Sequence, residues 1–207
     1  MTTMRYSEVK RLFGGFWQEH TLSFSEAAAL EKEFAGNASP AAGGKMRQVY
    51  GDIWDLARGK ALAVTTNGDL KKDGSAVMGR GIALQAARRF PGLPRRLGAY
   101  LRKYGNRCFY LGRWQDYTIV SFPTKRHWRE NANLELIKVS AVQLVKIADK
   151  FNLPEIYLPR PGCGAGGLIW KDVDVVLRGI LDERFVICAK RGDNLNAGLS
   201  PDRPGSV

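Results

Sequence analysis

Histidine is almost missing from this sequence: His20 and His127 are the only two in 207 residues. Cysteine is hardly better represented, and Cys108, Cys163 and Cys188 stand far apart with no Cys-x-x-Cys pair. A structural zinc site therefore lacks a ligand set, and an odd number of scattered thiols excludes a disulfide framework. Cys108 and Cys188 fall in apolar runs and are read as reduced core residues. No apolar run approaches the ~20 residues of a transmembrane helix, and the N-terminus lacks the apolar core of a signal peptide. These absences predict a soluble, cytoplasmic protein with no metal and no membrane partner.

Acid is missing from one stretch. Between residues 80 and 129 there are twelve Lys or Arg and a single carboxylate, Asp116, while the whole chain carries a formal charge of +12. Nearly all the imbalance is thus local. Such a cluster is repulsive without counter-charge, and a polyanion, nucleic acid foremost, supplies it. A merely solvated basic surface is the plainer alternative.

What is present is a globular domain's worth of apolar residues, 44% of the chain, enough for one core. Residues 1–45 read as a helical appendage and linker, residues 46–190 as the main domain, and residues 191–207 as a disordered tail. In the main domain, Gln48–Ile53, Ala61–Thr66, Cys108–Gly112, Tyr117–Phe122, Ile156–Leu158 and Arg184–Ala189 read as strands. Leu84–Phe90, Arg95–Tyr104, Leu134–Phe151 and Lys171–Arg178 read as helices, with Asn133 as a cap. Strands alternating with helices predict an α/β protein, a sandwich around a mostly parallel sheet. Ligands of such sheets bind beyond the carboxyl ends of the strands. Asn67, the 78–82 loop, Thr124-Lys125 and the 162–167 loop are expected to gather there.

The most informative stretch is Pro159-Arg-Pro-Gly-Cys-Gly-Ala-Gly-Gly-Leu-Ile-Trp170. It lies between a strand and a helix and carries Gly162, Gly164, Gly166 and Gly167. Glycines let backbone amides converge, and a helix N-terminus adds partial positive charge, the arrangement that holds a phosphate. Val77-Met-Gly-Arg-Gly-Ile-Ala83 is a second glycine loop of the same kind. A ligand-free mobile connection remains the alternative for either loop alone.

Taken in order, Gly51-Asp52-Ile53, Val77–Ala83, Phe122-Pro-Thr-Lys-Arg-His-Trp-Arg129 and Pro161–Trp170 resemble a macrodomain, an ADP-ribose-binding fold. More narrowly they resemble the DarG branch, DNA ADP-ribosyl glycohydrolases that act as antitoxins against DarT-type toxins; the terminal ADP-ribose protein glycohydrolase is a more distant relative. The resemblance covers roughly residues 47–190. It implies a three-layer α/β/α sandwich with a mixed, mostly parallel sheet, ADP-ribose as bound product, no cofactor, and ADP-ribosylated single-stranded DNA and a DarT-type toxin as partners. The partner-binding domain that follows the macrodomain in DarG-type antitoxins is expected to be absent.

The resemblance also implies roles. Asp52, with Ile53, matches the acid that accepts from the adenine 6-amino group; a strand-end aspartate also reads as a helix cap. Asn67 matches an asparagine near the distal ribose, and also reads as a turn residue before Gly68. Gly79, Arg80, Gly81 and Ile82 match the first ligand loop. Gly162, Cys163, Gly164, Ala165, Gly166 and Gly167 match the second, with Thr124 beside them. Lys125 matches the catalytic lysine, and Arg126, His127 and Arg129 are expected to depress its pKa by like charge. The distant relative also uses an aspartate in the second loop; Gly166 stands at that position here, which favours a single-lysine mechanism. Arg80, Arg126, His127, Trp128 and Arg129 are candidate nucleic-acid contacts, Trp128 by stacking on an unpaired base.

The leading reading is a hydrolase that removes ADP-ribose from a nucleobase, thymidine in single-stranded DNA. The alternatives are a non-catalytic ADP-ribose reader, a hydrolase of protein-linked or other ADP-ribosyl bonds, and a nucleotide-binding interaction module working through residues 1–46.

Overall fold

The computed structural model describes residues 46–190; the expected helical appendage and linker (1–45) and the expected tail (191–207) lie outside the described residues. Six strands form one sheet: β1 (Arg47–Tyr50), β2 (Ala61–Thr66), β3 (Tyr110–Trp114), β4 (Tyr117–Pro123), β5 (Ile156–Pro159) and β6 (Phe185–Ala189). Their spatial order is β1-β6-β5-β2-β4-β3. The pairings β1·β6, β6·β5, β5·β2 and β2·β4 are parallel, and β3 alone runs antiparallel, against β4. Five carboxyl ends therefore emerge along one edge.

Strand alternation sorts the core into two layers. Ala61 and Ala63 of β2 face one cluster with Phe122, Ile137, Leu144, Ile156, Leu158, Val173 and Leu177. Leu62 and Val64 face the other with Trp54, Ile82, Ala86, Leu93, Leu97, Leu101 and Ile119. The first layer is covered by α4 (Leu134–Phe151) and α5 (Trp170–Arg178), the second by α1 (Ile53–Leu56), α2 (Gly81–Arg89) and α3 (Leu93–Tyr104). The result is the three-layer α/β/α sandwich with a mixed, mostly parallel sheet that the sequence predicts. Ile119, Val120, Ser121 and Phe122 of β4 are all fully buried, as expected of a strand sandwiched on both faces.

Local sequence explains the helix limits. Asn133 caps α4 by accepting from the Leu136 amide at 2.8 Å, and Asn152 ends it in the left-handed conformation, φ 49° and ψ 53°. Leu93, Leu97 and Leu101 form the buried stripe of α3. The first strand is shorter than the sequence suggests. It stops at Tyr50, and Ile53 opens a one-turn helix because Asp52 accepts from the Trp54 amide and caps it. Gly98 sits mid-helix in α3 for a packing reason: a Cβ there would lie 2.2 Å from Gly74 O.

Candidate functional site

The carboxyl edge of the sheet opens into a cleft of about 1080 Å³. Asp52, Ile53, Asn67, Gly79, Arg80, Gly81, Ile82, Thr124, Lys125, Trp128 and residues 162–166 all line it. Five stretches of sequence thus meet in one place, because the parallel strands all deliver their carboxyl ends to the same side. Arg126, His127 and Arg129 are exposed beside the cleft and do not line it. Gly167 does not line it either. Its amide donates to Gly164 O at 3.1 Å, and its φ of +74° turns the chain toward Asn131.

Both glycine loops present free amides. α2 starts at Gly81 with no side chain capping it, so its first N–H groups lack partners. α5 likewise starts after Ile169 with no side-chain cap. In the second loop, Leu168 donates to Gly162 O at 3.0 Å and Ala132 donates to Gly166 O at 2.8 Å, which fixes the loop's two ends. Between them, no backbone hydrogen bond among the described residues takes the amides of Gly164, Ala165 or Gly166. Consecutive open amides at a helix start form an anion cradle.

Lys125 stands between the loops. Its backbone is pinned through the Thr124 amide, which donates to Thr66 O at 3.0 Å, and through Asn106 Nδ2, which donates to Lys125 O at 2.8 Å. Its Nζ donates to Ala165 O at 2.6 Å, in the second loop. Burial, and after it the charge of Arg80 in the first loop, hold the amine below the usual lysine value. The sequence reading assigns that depression to Arg126, His127 and Arg129. The correction has a simple cause: those three side chains lie out in solvent, and Arg80 is the like charge that reaches the amine.

Two predicted ligand contacts have duties within the chain. Asn67 Nδ2 donates to Val77 O at 2.9 Å, and its Oδ1 accepts from the Asp69 amide at 3.0 Å. One N–H and one lone pair are left for a ligand. Asp52 uses Oδ1 as the α1 cap at 2.8 Å, which leaves Oδ2.

At the rim, Trp128 is 47% exposed, with the Arg129 guanidinium 4.7 Å over its ring and the His127 ring stacked at 6.1 Å. The Trp128 amide donates to Asp69 Oδ2 at 2.6 Å, which fastens this rim to the 68–76 loop. The basic stretch is less uniform than its sequence. Arg89 lies over Trp54 at 4.5 Å, and Arg96 lies over Trp114 at 5.0 Å while donating to Leu111 O at 2.7 Å. Both lie over tryptophan rings yet remain exposed, as do Arg95, Arg102 and Lys103 of α3, the last with its Nζ 5.1 Å over the Tyr104 ring.

Sequence reading missed Arg160, Thr66 and Cys188 in the cleft. Arg160 lies over Trp170 at 5.1 Å, and its buried Nε and Nη2, the paired edge of the guanidinium, have no hydrogen-bond partner among the described residues. Thr66 Oγ1 is likewise buried without one. Cys188 is a buried thiol whose pKa is pushed up to about 12 by burial, so it is inert at neutral pH. Thr66 ends β2, Arg160 follows β5 and Cys188 is the last but one residue of β6, and a place at the carboxyl end of a parallel strand is the signal by which they are found. Among the described residues no three His, Cys, Asp or Glu side chains gather as a metal site, and no helix is long and apolar enough to cross a membrane.

No protein-family model matches the chain. Curated relatives do. The DNA ADP-ribosyl glycohydrolase of Mycobacterium tuberculosis is 32% identical over 139 residues, covering 63% of this chain and 36% of that protein. The Thermus aquaticus enzyme of the same name is 34% identical over 106 residues, covering 47% of this chain and 29% of its own length. The chain thus spans about a third of the curated relatives it matches. Among solved structures, the macrodomains of M. tuberculosis DarG and T. aquaticus DarG each superpose with a TM-score of 0.58 at 29% identity, over 70% of this chain and 98% of theirs. Thermosipho africanus DarTG, solved with ADP-ribose, shares the fold with a TM-score of 0.59 at 22% identity, over 80% of this chain and 51% of that one. Two DarG macrodomains matched almost end to end, on a sheet whose edge builds a double-loop cleft around one lysine, identify the chain as carrying a macrodomain of the DarG type.

Proposed function

We propose that this macrodomain is an ADP-ribosyl glycohydrolase that releases ADP-ribose from a nucleobase, thymidine, in single-stranded DNA, reversing the product of a DarT-type toxin. The observation that carries this reading is the position of Lys125, hydrogen-bonded to Ala165 O in one glycine loop and depressed by burial and by Arg80 in the other. The diphosphate lies across the open amides of both loops. Asp52 takes the adenine amino group through its free oxygen, and the distal ribose comes to Lys125.

A lysine that has lost its proton keeps N–H groups to donate to Ala165 O and a lone pair to use. That lone pair attacks C1″ of the ribose and displaces the base, and ring opening of the sugar–lysine adduct gives a Schiff base. The C1″–N bond to the base breaks, the base leaves with a proton, and water then releases the sugar from the amine. Net hydrolysis restores the lysine. The likeness to proteins named DNA ADP-ribosyl glycohydrolase supports the substrate class.

The test is incubation with thymidine-ADP-ribosylated single-stranded DNA. The wild type is expected to release free ADP-ribose, and Lys125→Ala to lose at least about a thousand-fold of that rate while calorimetry shows ADP-ribose still bound. Binding without release by the wild type makes the protein a reader; release from modified protein but not from modified DNA redirects the substrate.

A further inference from the structure

The cleft accounts for one nucleotide, but the surface leading away from it is built for more. The 68–76 loop begins at the rim, where the Gly68 amide donates to Arg126 O at 3.1 Å and Asp69 accepts from the Trp128 amide at 2.6 Å. The far end of the same loop is fastened to α3: the Ala76 amide donates to Pro94 O at 2.9 Å, and Gly98 packs against Gly74 and Ser75. Arg95, Gly98 and Arg102 are spaced i, i+3, i+7 and so share one face of the helix. The two arginines straddle the loop. Arg102 Nη2 would be 1.9 Å from a Cβ on Gly74, and the charge of Arg95 acts on Asp73. Lys71 and Lys72 are exposed on the loop between them.

Each acid along this path has a hydrogen-bond partner within the protein, and Asp73 also lies within electrostatic reach of Lys71 and Arg95. Asp69 holds the Trp128 amide and faces His127 Nε2 at 3.8 Å. Asp73 accepts from the Ser75 amide at 2.9 Å and from the Ser75 hydroxyl at 2.6 Å. Exposed along this surface are Trp128 at the mouth with the Arg129 guanidinium over its ring, the two lysines of the loop, and two arginines about 10 Å apart along the helix axis. An aromatic for an unpaired base followed by a run of cations for phosphates is the pattern of a single-strand track.

Resting on the glycohydrolase reading, we propose that the modified strand leaves the cleft over Trp128 and runs across the 68–76 loop onto Arg95 and Arg102 of α3. This site binds several unmodified nucleotides on one side of the ADP-ribosylated base, by stacking and phosphate contacts and without reading sequence.

The experiment compares kcat/KM on an ADP-ribosylated thymidine mononucleotide with that on single strands of increasing length, and measures binding of an unmodified oligodeoxythymidine by fluorescence anisotropy. For the wild type, KM is expected to fall with strand length and to rise with salt on long strands only. Arg95→Gln/Arg102→Gln and, separately, Lys71→Gln/Lys72→Gln are expected to raise KM at least about ten-fold on long strands. Each pair is also expected to flatten the salt dependence of anisotropy binding by roughly 1.4 in log–log slope, at about 0.7 per single-strand phosphate contact. kcat, mononucleotide turnover and ADP-ribose affinity are expected to stay unchanged, which also shows that the variants fold. KM independent of length, or equal losses on mononucleotide and long strand, overturns the track. Wild-type failure on every modified substrate overturns the glycohydrolase reading instead, while anisotropy still reports whether the unmodified strand follows these residues.

Discussion

The neighbours of Lys125 make its proton easier to lose than that of an exposed lysine. Burial disfavours its charged form, Arg80 adds like-charge repulsion, and no carboxylate pairs with it among the described residues. Since the proposed nucleophile is the neutral form, kcat/KM is expected to rise with pH. It should level off around a midpoint below the ordinary lysine value of 10.5, and Arg80→Gln is expected to move that midpoint up. A pH–rate profile checks both; a rate that falls as pH rises would make the ammonium the working species. Asp52 carries two duties that a pair of substitutions separates. Asn caps a helix as well as Asp does, but its free group is a donor. Asp52→Asn is therefore expected to keep the wild-type melting temperature and lose ADP-ribose affinity. Asp52→Ala is expected to lose about 1 kcal/mol of stability as well. Calorimetry and thermal melts read these independently. Sequence alone suggests both roles for Asp52 and cannot choose; the structure shows that the cap is made and one oxygen is spare.

At the scale of elements, the glycine loops divide into glycines that the fold requires and glycines that a ligand requires. A Cβ on Gly166 would meet Gly162 O at 2.4 Å and the Ala132 Cβ at 2.7 Å, so the loop cannot close around it. A Cβ on Gly164 would meet nothing within 4 Å, and its φ does not lie in the left-handed region. Gly166→Ala is thus expected to lower the melting temperature and ADP-ribose affinity together. Gly164→Ala is expected to leave the melting temperature alone and weaken ADP-ribose by at least about ten-fold, near 1.4 kcal/mol, because only the bound diphosphate occupies that space. Unchanged affinity in Gly164→Ala would move the diphosphate off this loop. Helices α3, α4 and α5 were legible in the sequence to within two residues, since each carries a clear apolar stripe and a boundary signal. β1 was not. Its apolar residues continue into Ile53-Trp54, and only the hydrogen bond from Trp54 to Asp52 reveals that the chain has already turned into α1.

On the scale of the whole molecule, both core layers draw on residues spread across the described stretch, 46–190. That stretch, expressed alone, is expected to unfold in one cooperative step and to bind ADP-ribose within about three-fold of the full chain. A molten fragment, or one with much weaker binding, would show that residues 1–45 or 191–207 complete the domain. The sheet order explains why residues as distant in sequence as Asp52 and Gly166 share a cleft. β1, β6, β5, β2 and β4 run parallel, so each crossover returns the chain to the same edge.

The sequence by itself determined the alternation of strands and helices, the two glycine loops and the candidacy of Lys125. These depend on periodicity, backbone freedom and short motifs, which are local properties of a chain. Only the tertiary structure decided which charge acts on that lysine, which arginines lie over tryptophan rings, and that Arg160 and Thr66 bring to the cleft polar atoms unpartnered among the described residues. Distance and solvent exposure govern each of these. Residues adjacent in sequence, such as Lys125 and Arg126, can point into different dielectric surroundings, while Arg80 and Lys125, far apart along the chain, share one.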